Sequence, residues 1–409
     1  MKILILTPQL PYPPHQGTSL RNYHIMRGLA QRHEITLLSF LEVEQTAAPN
    51  EIYPLLQLCT ALHTIPAPRR SQWQRLRQLL TSRLPDIAHR LWSETFAQKL
   101  QQLLMLNQYD IVQIEGIELA RYLNIIRIAN QGVRVIFDDH NAETELQRRN
   151  FLADLRQPRR WLAAAYSAVQ VGRLARFERR ACSEADGVTA VSATDKLHLQ
   201  KLLAASRSLL PAITVIPNSI DTAVLQTPPE ETCQFDLLFV GKMDYRPNVD
   251  AVLWFADAVW SLVRAERPAA TWAIVGQKPH ERLNRLQHVP GVTVTGWVES
   301  VRPYLFGASV VIMSFRVGSG TRLKLIEAMA AGKAIVSTAV GAEGFPVQDG
   351  RELALADDAD GMAAAVLRLL ADEDERKRLG ENGRAFAQQY DWRQVIPRFN
   401  AVYQAAASR

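Results

Sequence analysis

The chain has 409 residues, is 47% hydrophobic and carries a net charge of +6, which is room for two to three domains with large cores. Its three cysteines, Cys59, Cys182 and Cys233, form no CxxC pair and no zinc spacing, which argues against a disulfide framework or structural metal and for a reducing, cytoplasmic setting. The opening run stops at Pro8, too short for a signal-peptide core, and no apolar run reaches the length of a membrane span.

Residues 2–7 carry the unbroken apolar run Ile3 to Leu6, which predicts a strand buried on both faces of a parallel sheet. A loop over 8–18, with Pro8, Pro11, Pro13, Pro14 and Gly17, leads to a helix over 20–32 and a strand over 34–40, one βαβ unit. A helix over 95–106 and strands over 109–114, 133–137, 187–191 and 214–216 continue the alternation. Residues 222–232, polar and proline-bearing, are expected to be a linker. A second series follows, with strands over 236–240, 271–275, 292–295, 309–314, 334–338 and 352–356 and helices over 250–264, 360–371 and 375–389. The pattern predicts an α/β protein of two doubly wound Rossmann-like domains in tandem, over 1–221 and 233–389. Ligands are expected at the carboxyl ends of the strands, with the cleft between the domains as the default site.

The run from Gly318 to Lys333 is the most informative stretch: a glycine-rich turn, an amphipathic helix and a glycine stop before the next strand. A helix starting at such a turn offers free N–H groups and a positive dipole end to an anion. Backbone N–H groups of Gly320, Thr321 and Arg322 are therefore candidate diphosphate donors, with Arg322 and Lys324 adding charge. Glu327 lies one to two turns in, within reach of ligand hydroxyls, so a nucleotide-sugar is the indicated ligand. Lys242 follows a strand and a glycine, which lets its ammonium reach the cleft. Gly17 in the first loop can approach phosphates closely because it lacks a side chain, or it is a plain turn glycine. Arg21 either adds charge there or covers the first helix. His140 closes the strand over 133–137 beside Asp138, Asp139 and Asn141, on the ligand side of the sheet. Trp297 and Val298 follow Gly296 at another strand end, as the wall of a base pocket or as core residues.

In order and spacing these segments resemble the GT-B glycosyltransferases, specifically the retaining family 4 group. The resemblance rests on the loop from Pro11 to Arg21, Pro217-Asn218-Ser219-Ile220-Asp221, Phe239-Val240-Gly241-Lys242, Ile274-Val275-Gly276, Gly296-Trp297-Val298 and the run from Gly318 to Gly344. It covers nearly the whole chain, and Gly318 to Glu343 resembles an exopolysaccharide-associated branch. The resemblance implies that Lys242 and Arg246 form the basic pair that stabilises the departing nucleoside diphosphate. Here lysine stands where arginine is commoner, and the spacing is one residue shorter than usual. Arg246 is otherwise a solvated loop charge. Glu327 matches the second glutamate of a ribose-binding pair. The first would fall at Ser319, where a hydroxyl can hydrogen-bond a sugar but brings no carboxylate. His140 would position the donor sugar. Residues 390–409 would cross back onto the first domain.

The implied activity is retaining transfer of a hexose-type sugar from a nucleoside-diphosphate sugar to a lipid-linked or saccharide acceptor, in exopolysaccharide or glycolipid assembly. It would need no cofactor and no metal, although Asp138, Asp139 and His140 are an alternative ligand cluster. A catalytically impaired nucleotide-sugar-binding module, which Ser319 keeps open, and a nucleotide-sugar epimerase are the rivals. A nicotinamide dehydrogenase is disfavoured because no Gly-x-Gly-x-x-Gly follows the first strand.

Two arginine-rich segments remain. One holds Arg69, Arg70, Arg75, Arg77, Arg83 and Arg90 with Trp73, Leu76, Leu79 and Leu80; the other runs from Arg148 to Arg180 with Trp161, Leu162 and Tyr166. They are either interfacial helices on the anionic inner face of the plasma membrane or ordinary solvated faces. No RRM, KH or helix-turn-helix pattern accompanies the charge, so nucleic acid is not an expected partner.

Overall fold

The computed structural model describes residues 1–14, 17–43, 45, 47–130, 132–155, 161–204, 212–318 and 320–408. Among these, the chain divides into two compact units, Met1–Ser219 with Trp392–Arg409, and Ile220–Asp391.

The first unit is built on β1 (Lys2–Thr7), β2 (Glu34–Leu41), β3 (Ala61–Pro66), β4 (Ile111–Glu115), β5 (Arg134–Asp139), β6 (Gly187–Ala190) and β7 (Ile213–Val215). They form a seven-stranded sheet in the order β3-β2-β1-β4-β5-β6-β7, with every pairing parallel. β1 shows why: alternate side chains leave on opposite faces, and both faces are covered. Leu4 and Leu6 enter a core with Phe40, Phe96 and Phe137, whereas Ile3 and Ile5 enter one with Ile25, Met26, Trp392, Phe399 and Tyr403. The last residues, the helices Trp392–Val395 and Pro397–Ala407, thus belong to the first unit's core.

The second unit carries β8 (Phe235–Val240), β9 (Trp272–Val275), β10 (Val292–Gly296), β11 (Ala308–Met313), β12 (Ala334–Ser337) and β13 (Ala354–Leu355). The sheet order is β10-β9-β8-β11-β12-β13, again parallel throughout. Its core, around Phe239, Phe255, Trp272 and Ile312, is contiguous on both faces.

β3 is absent from the sequence expectations. It is an edge strand, half-buried along its length, and His63, Thr64 and Pro66 interrupt its apolar run. The long helices Glu143–Leu155 and Trp161–Glu184 also escape element assignment, because arginines dilute their apolar period. The helix expected over 250–264 starts earlier, at Arg246, since Pro247 suits a first helical turn. Arg246 is therefore a helix-start residue. Residues 222–232 open with a short helix, Thr222–Gln226. No described helix is long and apolar enough to cross a membrane.

Candidate active site

In the second unit the strand order reverses between β8 and β11, and ligands bind beyond the carboxyl ends of strands at such a reversal. Lys242 follows β8 directly. It stands in solvent with its Nζ 3.8 Å from the Asp244 carboxylate, and Arg246 is exposed one turn further on. The loop after β11 carries Gly320, Thr321 and Arg322 to the start of the helix Leu323–Ala330, whose first N–H groups lack intrahelical partners. Ser319 lies outside the described residues.

Arg322 turns back on its own loop. Its Nη1 donates to the Gly320 carbonyl at 2.9 Å, and the guanidinium lies 4.6 Å over the Phe315 ring. Lys324 is the cation directed at the end of β8. Its Nζ is 3.4 Å from Asn248 Oδ1, and Asn248 Nδ2 donates to the Lys242 carbonyl at 2.8 Å. Lys324 is half-buried and makes no ion pair within 4.0 Å among the described residues. Burial pushes its ammonium down to about 8, with Glu327 opposing the shift and Arg322 adding to it. Burial also raises Glu327, against the pull of Lys324. Gly241 makes this convergence possible: a Cβ there would stand 2.8 Å from both Asn248 Nδ2 and Lys324 Nζ.

Trp297 follows β10 and is 72% exposed, so it is not a core tryptophan, while Val298 packs half-buried against the core. The order β10-β9-β8-β11 lays Trp297, Lys242 and the Gly320 loop along one edge of the sheet. Three strand spacings separate the ends of that row, roughly 14 Å.

In the first unit the reversal falls between β1 and β4. A cavity of about 370 Å³ opens at the strand ends, bounded by Pro8 and Gln9 after β1, Gly116 after β4 and His140 after β5, with Glu118 and Glu143 among its walls. Gly17 is the exposed first residue of the helix Gly17–Leu29.

His140 Nε2 lies 2.8 Å from Glu115 Oε2 and 3.5 Å from Asp138 Oδ2, which assigns the proton to Nε2. Burial opposes protonation, yet the hydrogen bonds to Asp138 and Glu115 outweigh it and raise the imidazole to about 9. At neutral pH His140 is therefore a cation and a hydrogen-bond donor, not a base. Gly116, at φ 85°, is required by its left-handed backbone and by Glu118, whose Oε2 a Cβ there would approach to 2.9 Å.

Arg21 supplies neither phosphate charge nor surface cover. It is buried, and its Nε and Nη2 both donate to the Asp138 carboxylate at 2.8 Å, while Nη1 donates to the Ile216 and Pro217 carbonyls at 3.1 Å. Glu115, Asp138 and His140 bring ligand atoms within 4.8 Å of one another, a separation that could hold a metal ion. Here the facing oxygens already accept hydrogen bonds from Arg21, His140, Gln113 and Thr189, so the Arg21 guanidinium and the His140 imidazolium already offset the two carboxylates. Asp139 is not part of this group. It leaves β5 on the opposite face, where burial, Glu178 and Glu143 raise its carboxyl.

Sequence reasoning missed Glu115 and Asn248 and gave Lys324 only a supporting charge. Glu115 had a signal, a carboxylate and a glycine at the end of a central strand; Asn248 had none, because its role depends on two other elements.

Residues 16–224, more than half of the chain, match the family model of Glycosyltransferase Family 4, and residues 234–372 match that of Glycosyl transferases group 1. The chain belongs to glycosyltransferase family 4. Curated relatives of the chain include a phosphatidyl-myo-inositol mannosyltransferase of Mycolicibacterium smegmatis, 38% identical over 22% of this chain and 24% of that one. An MMP alpha-(1->4)-mannosyltransferase of Mycolicibacterium hassiacum is 28% identical over 48% and 49%. An uncharacterised protein of a Klebsiella pneumoniae cps region is 24% identical over 39% and 44%. The chain therefore spans less than half the length of these curated relatives.

Solved structures of similar fold include Anabaena HepE in complex with UDP and glucose, with a TM-score of 0.65 at 16% identity, covering 99% of this chain and 100% of that one. Sucrose-phosphate synthase of Thermosynechococcus elongatus has a TM-score of 0.69 at 16% identity, covering 99% and 98%. The chain has the GT-B fold of two parallel-sheet α/β domains.

Proposed function

We propose that this glycosyltransferase moves a hexose-type sugar from a nucleoside diphosphate to a hydroxyl of a lipid-linked or saccharide acceptor, with retention, in cytoplasmic steps of exopolysaccharide or glycolipid assembly. The observation that carries the donor assignment is Lys324, a half-buried cation without an ion pair among the described residues, held by Asn248 beside the end of β8. A half-buried ammonium that Glu327 offsets only from beyond ion-pair distance has room to take an anionic ligand.

The row of strand ends suggests the donor's course. The diphosphate lies between Lys242 and the N–H groups of Gly320 and Thr321, and Glu327 accepts from the ribose. The base extends toward Trp297 and Val298. Lys242, with Lys324 and Arg246, offsets the negative charge that grows on the leaving diphosphate, a role a divalent metal fills elsewhere. That HepE binds UDP and glucose, and that Staphylococcus aureus TarM was crystallised with UDP, supports a nucleotide-sugar donor. In the first unit, His140 would hold a hydroxyl of a sugar through Nδ1 as a fixed donor.

Transfer and hydrolysis assays with UDP-, GDP- and ADP-linked sugars test this reading. Lys242→Ala is expected to lower kcat chiefly, and Glu327→Ala to raise the donor KM. Kinetics equal to wild type in both variants would remove these roles, and binding without turnover on any acceptor would favour a binding module.

A further inference from the structure

The helix Gln72–Thr81 is well formed yet buries nothing. It opens with a complete capping box: Gln74 N donates to Ser71 Oγ at 3.2 Å, and Ser71 N donates to Gln74 Oε1 at 2.8 Å. None of its ten residues is buried. Trp73, Leu76 and Leu80 fall at i, i+3 and i+7, a single stripe, and are 81%, 46% and 76% exposed. Arg77 lies on the same stripe, four residues after Trp73.

Few ties hold the helix to the unit. Arg173 Nη2 donates to the Leu79 carbonyl at 2.9 Å, and Arg70, just before the helix, pairs with Asp86 at 3.0 Å. A cavity of about 260 Å³ remains beneath it, against the helix Trp161–Glu184. That second helix extends the apolar surface. Leu162, Tyr166 and Val169 form a stripe at i, i+4 and i+7, 90%, 36% and 45% exposed, and Tyr166 lines the same cavity as Leu76.

The surrounding charge has one sign. Residues 67–85 contain five arginines and no Asp or Glu. Asp86 takes up Arg70 and lies 3.7 Å from Arg75, whereas Arg69, Arg77 and Arg83 are exposed.

We propose that this face docks on an anionic lipid surface. Exposed aliphatic and tryptophan side chains interleaved with long cationic stems suit the headgroup boundary, where the stems lie along apolar surface and the heads reach phosphates. A second copy of this chain is the poorer occupant, because two-fold pairing would set one arginine cluster against another. The helix is also placed to serve the strand-end cavity. Ala67 and Pro68 before it, and Arg90 and Leu91 after it, line that cavity, and the four residues from Pro68 to Gln72 span at most about 14 Å. A membrane-held acceptor could thus present its head to the cavity while its lipid stays in the bilayer. That consequence rests on the glycosyl-transfer reading; the docking itself does not.

Flotation of the full chain with phosphatidylcholine vesicles, with and without phosphatidylglycerol, tests the docking. Recovery is expected only with phosphatidylglycerol and should fall in high salt. Arg77→Gln and Arg83→Gln should each reduce partition about five-fold. Trp73→Ser with Leu80→Ser should abolish it without moving Tm. No recovery with anionic vesicles, or recovery unchanged in these variants, would overturn the proposal. So would a lower Tm for the serine variant, or loss in that variant of a dimer that wild type forms, since either result gives the stripe another role. Donor hydrolysis measured without vesicles reports separately on glycosyl transfer.

Discussion

Lys324 is a charge held in an environment that disfavours it. Its value of about 8 lies below the ordinary ammonium value of about 10.4, so it carries its proton below about 8 and loses it above. Nucleoside-diphosphate affinity, measured by titration calorimetry, should therefore fall as pH rises through about 8. Lys324→Met should bind more weakly and lose that pH dependence, whereas Lys324→Arg should keep its affinity to higher pH. A wild-type profile flat across this range would detach Lys324 from the nucleotide. His140 has the opposite sign. Its folded value, raised to about 9, lies above the ordinary 6.5 or so. The stability it contributes is complete below about 6.5 and disappears as pH rises through about 9; the Tm of His140→Gln against pH should lack that decline. Arg21 belongs to the fold more than to any ligand. Arg21→Met leaves Asp138 buried without its bidentate partner, and denaturant unfolding should show a loss of about 3–5 kcal/mol.

At the scale of elements, the candidate site gathers where two strands diverge. Gly241, Asn248 and Lys324 belong to the end of β8, the helix after it and the helix after β11, and they meet because β8 and β11 are sheet neighbours. Gly241→Ala should therefore push Lys324 aside and weaken nucleotide binding about tenfold, the worth of one charge-assisted hydrogen bond, with little change in Tm. An unchanged dissociation constant would show that Lys324 has room to move. The central strands were legible in the sequence because they are apolar on both faces, as β1 and β8 are. β3 was not, since an edge strand with His63 and Thr64 has no continuous run to detect. The loop before Leu323 was legible from its glycines and the helix that follows. The direction of Arg322 was not, because the Phe315 ring and the Gly320 carbonyl draw it back onto its own loop.

For the molecule as a whole, the order of residues and the order of units differ. The chain leaves the first unit after Ser219, builds the second, and returns at Trp392. A chain ending at Asp391 would strip Trp392, Ile396, Phe399 and Tyr403 from a core that also holds Ile25 and Met26. Calorimetry should then show the first unit melting lower, while nucleotide binding by residues 220–391 persists; loss of both would mean that the second unit depends on the first. In the full chain, the correct nucleoside diphosphate at a hundred times its Kd should stabilise by about 2.7 kcal/mol, so a thermal-shift series of UDP, GDP and ADP identifies the base. The sequence by itself determined the parallel α/β alternation, the glycine-rich loop and helix start before Leu323 and the family, because apolar periodicity, glycine placement and motif order are local properties of the chain. Only the tertiary structure decided which cation approaches the end of β8, that His140 is held charged between Glu115 and Asp138, and that the Gln72–Thr81 helix keeps its apolar stripe in solvent. Each of these depends on burial and on side chains brought together from distant positions, which no local pattern encodes.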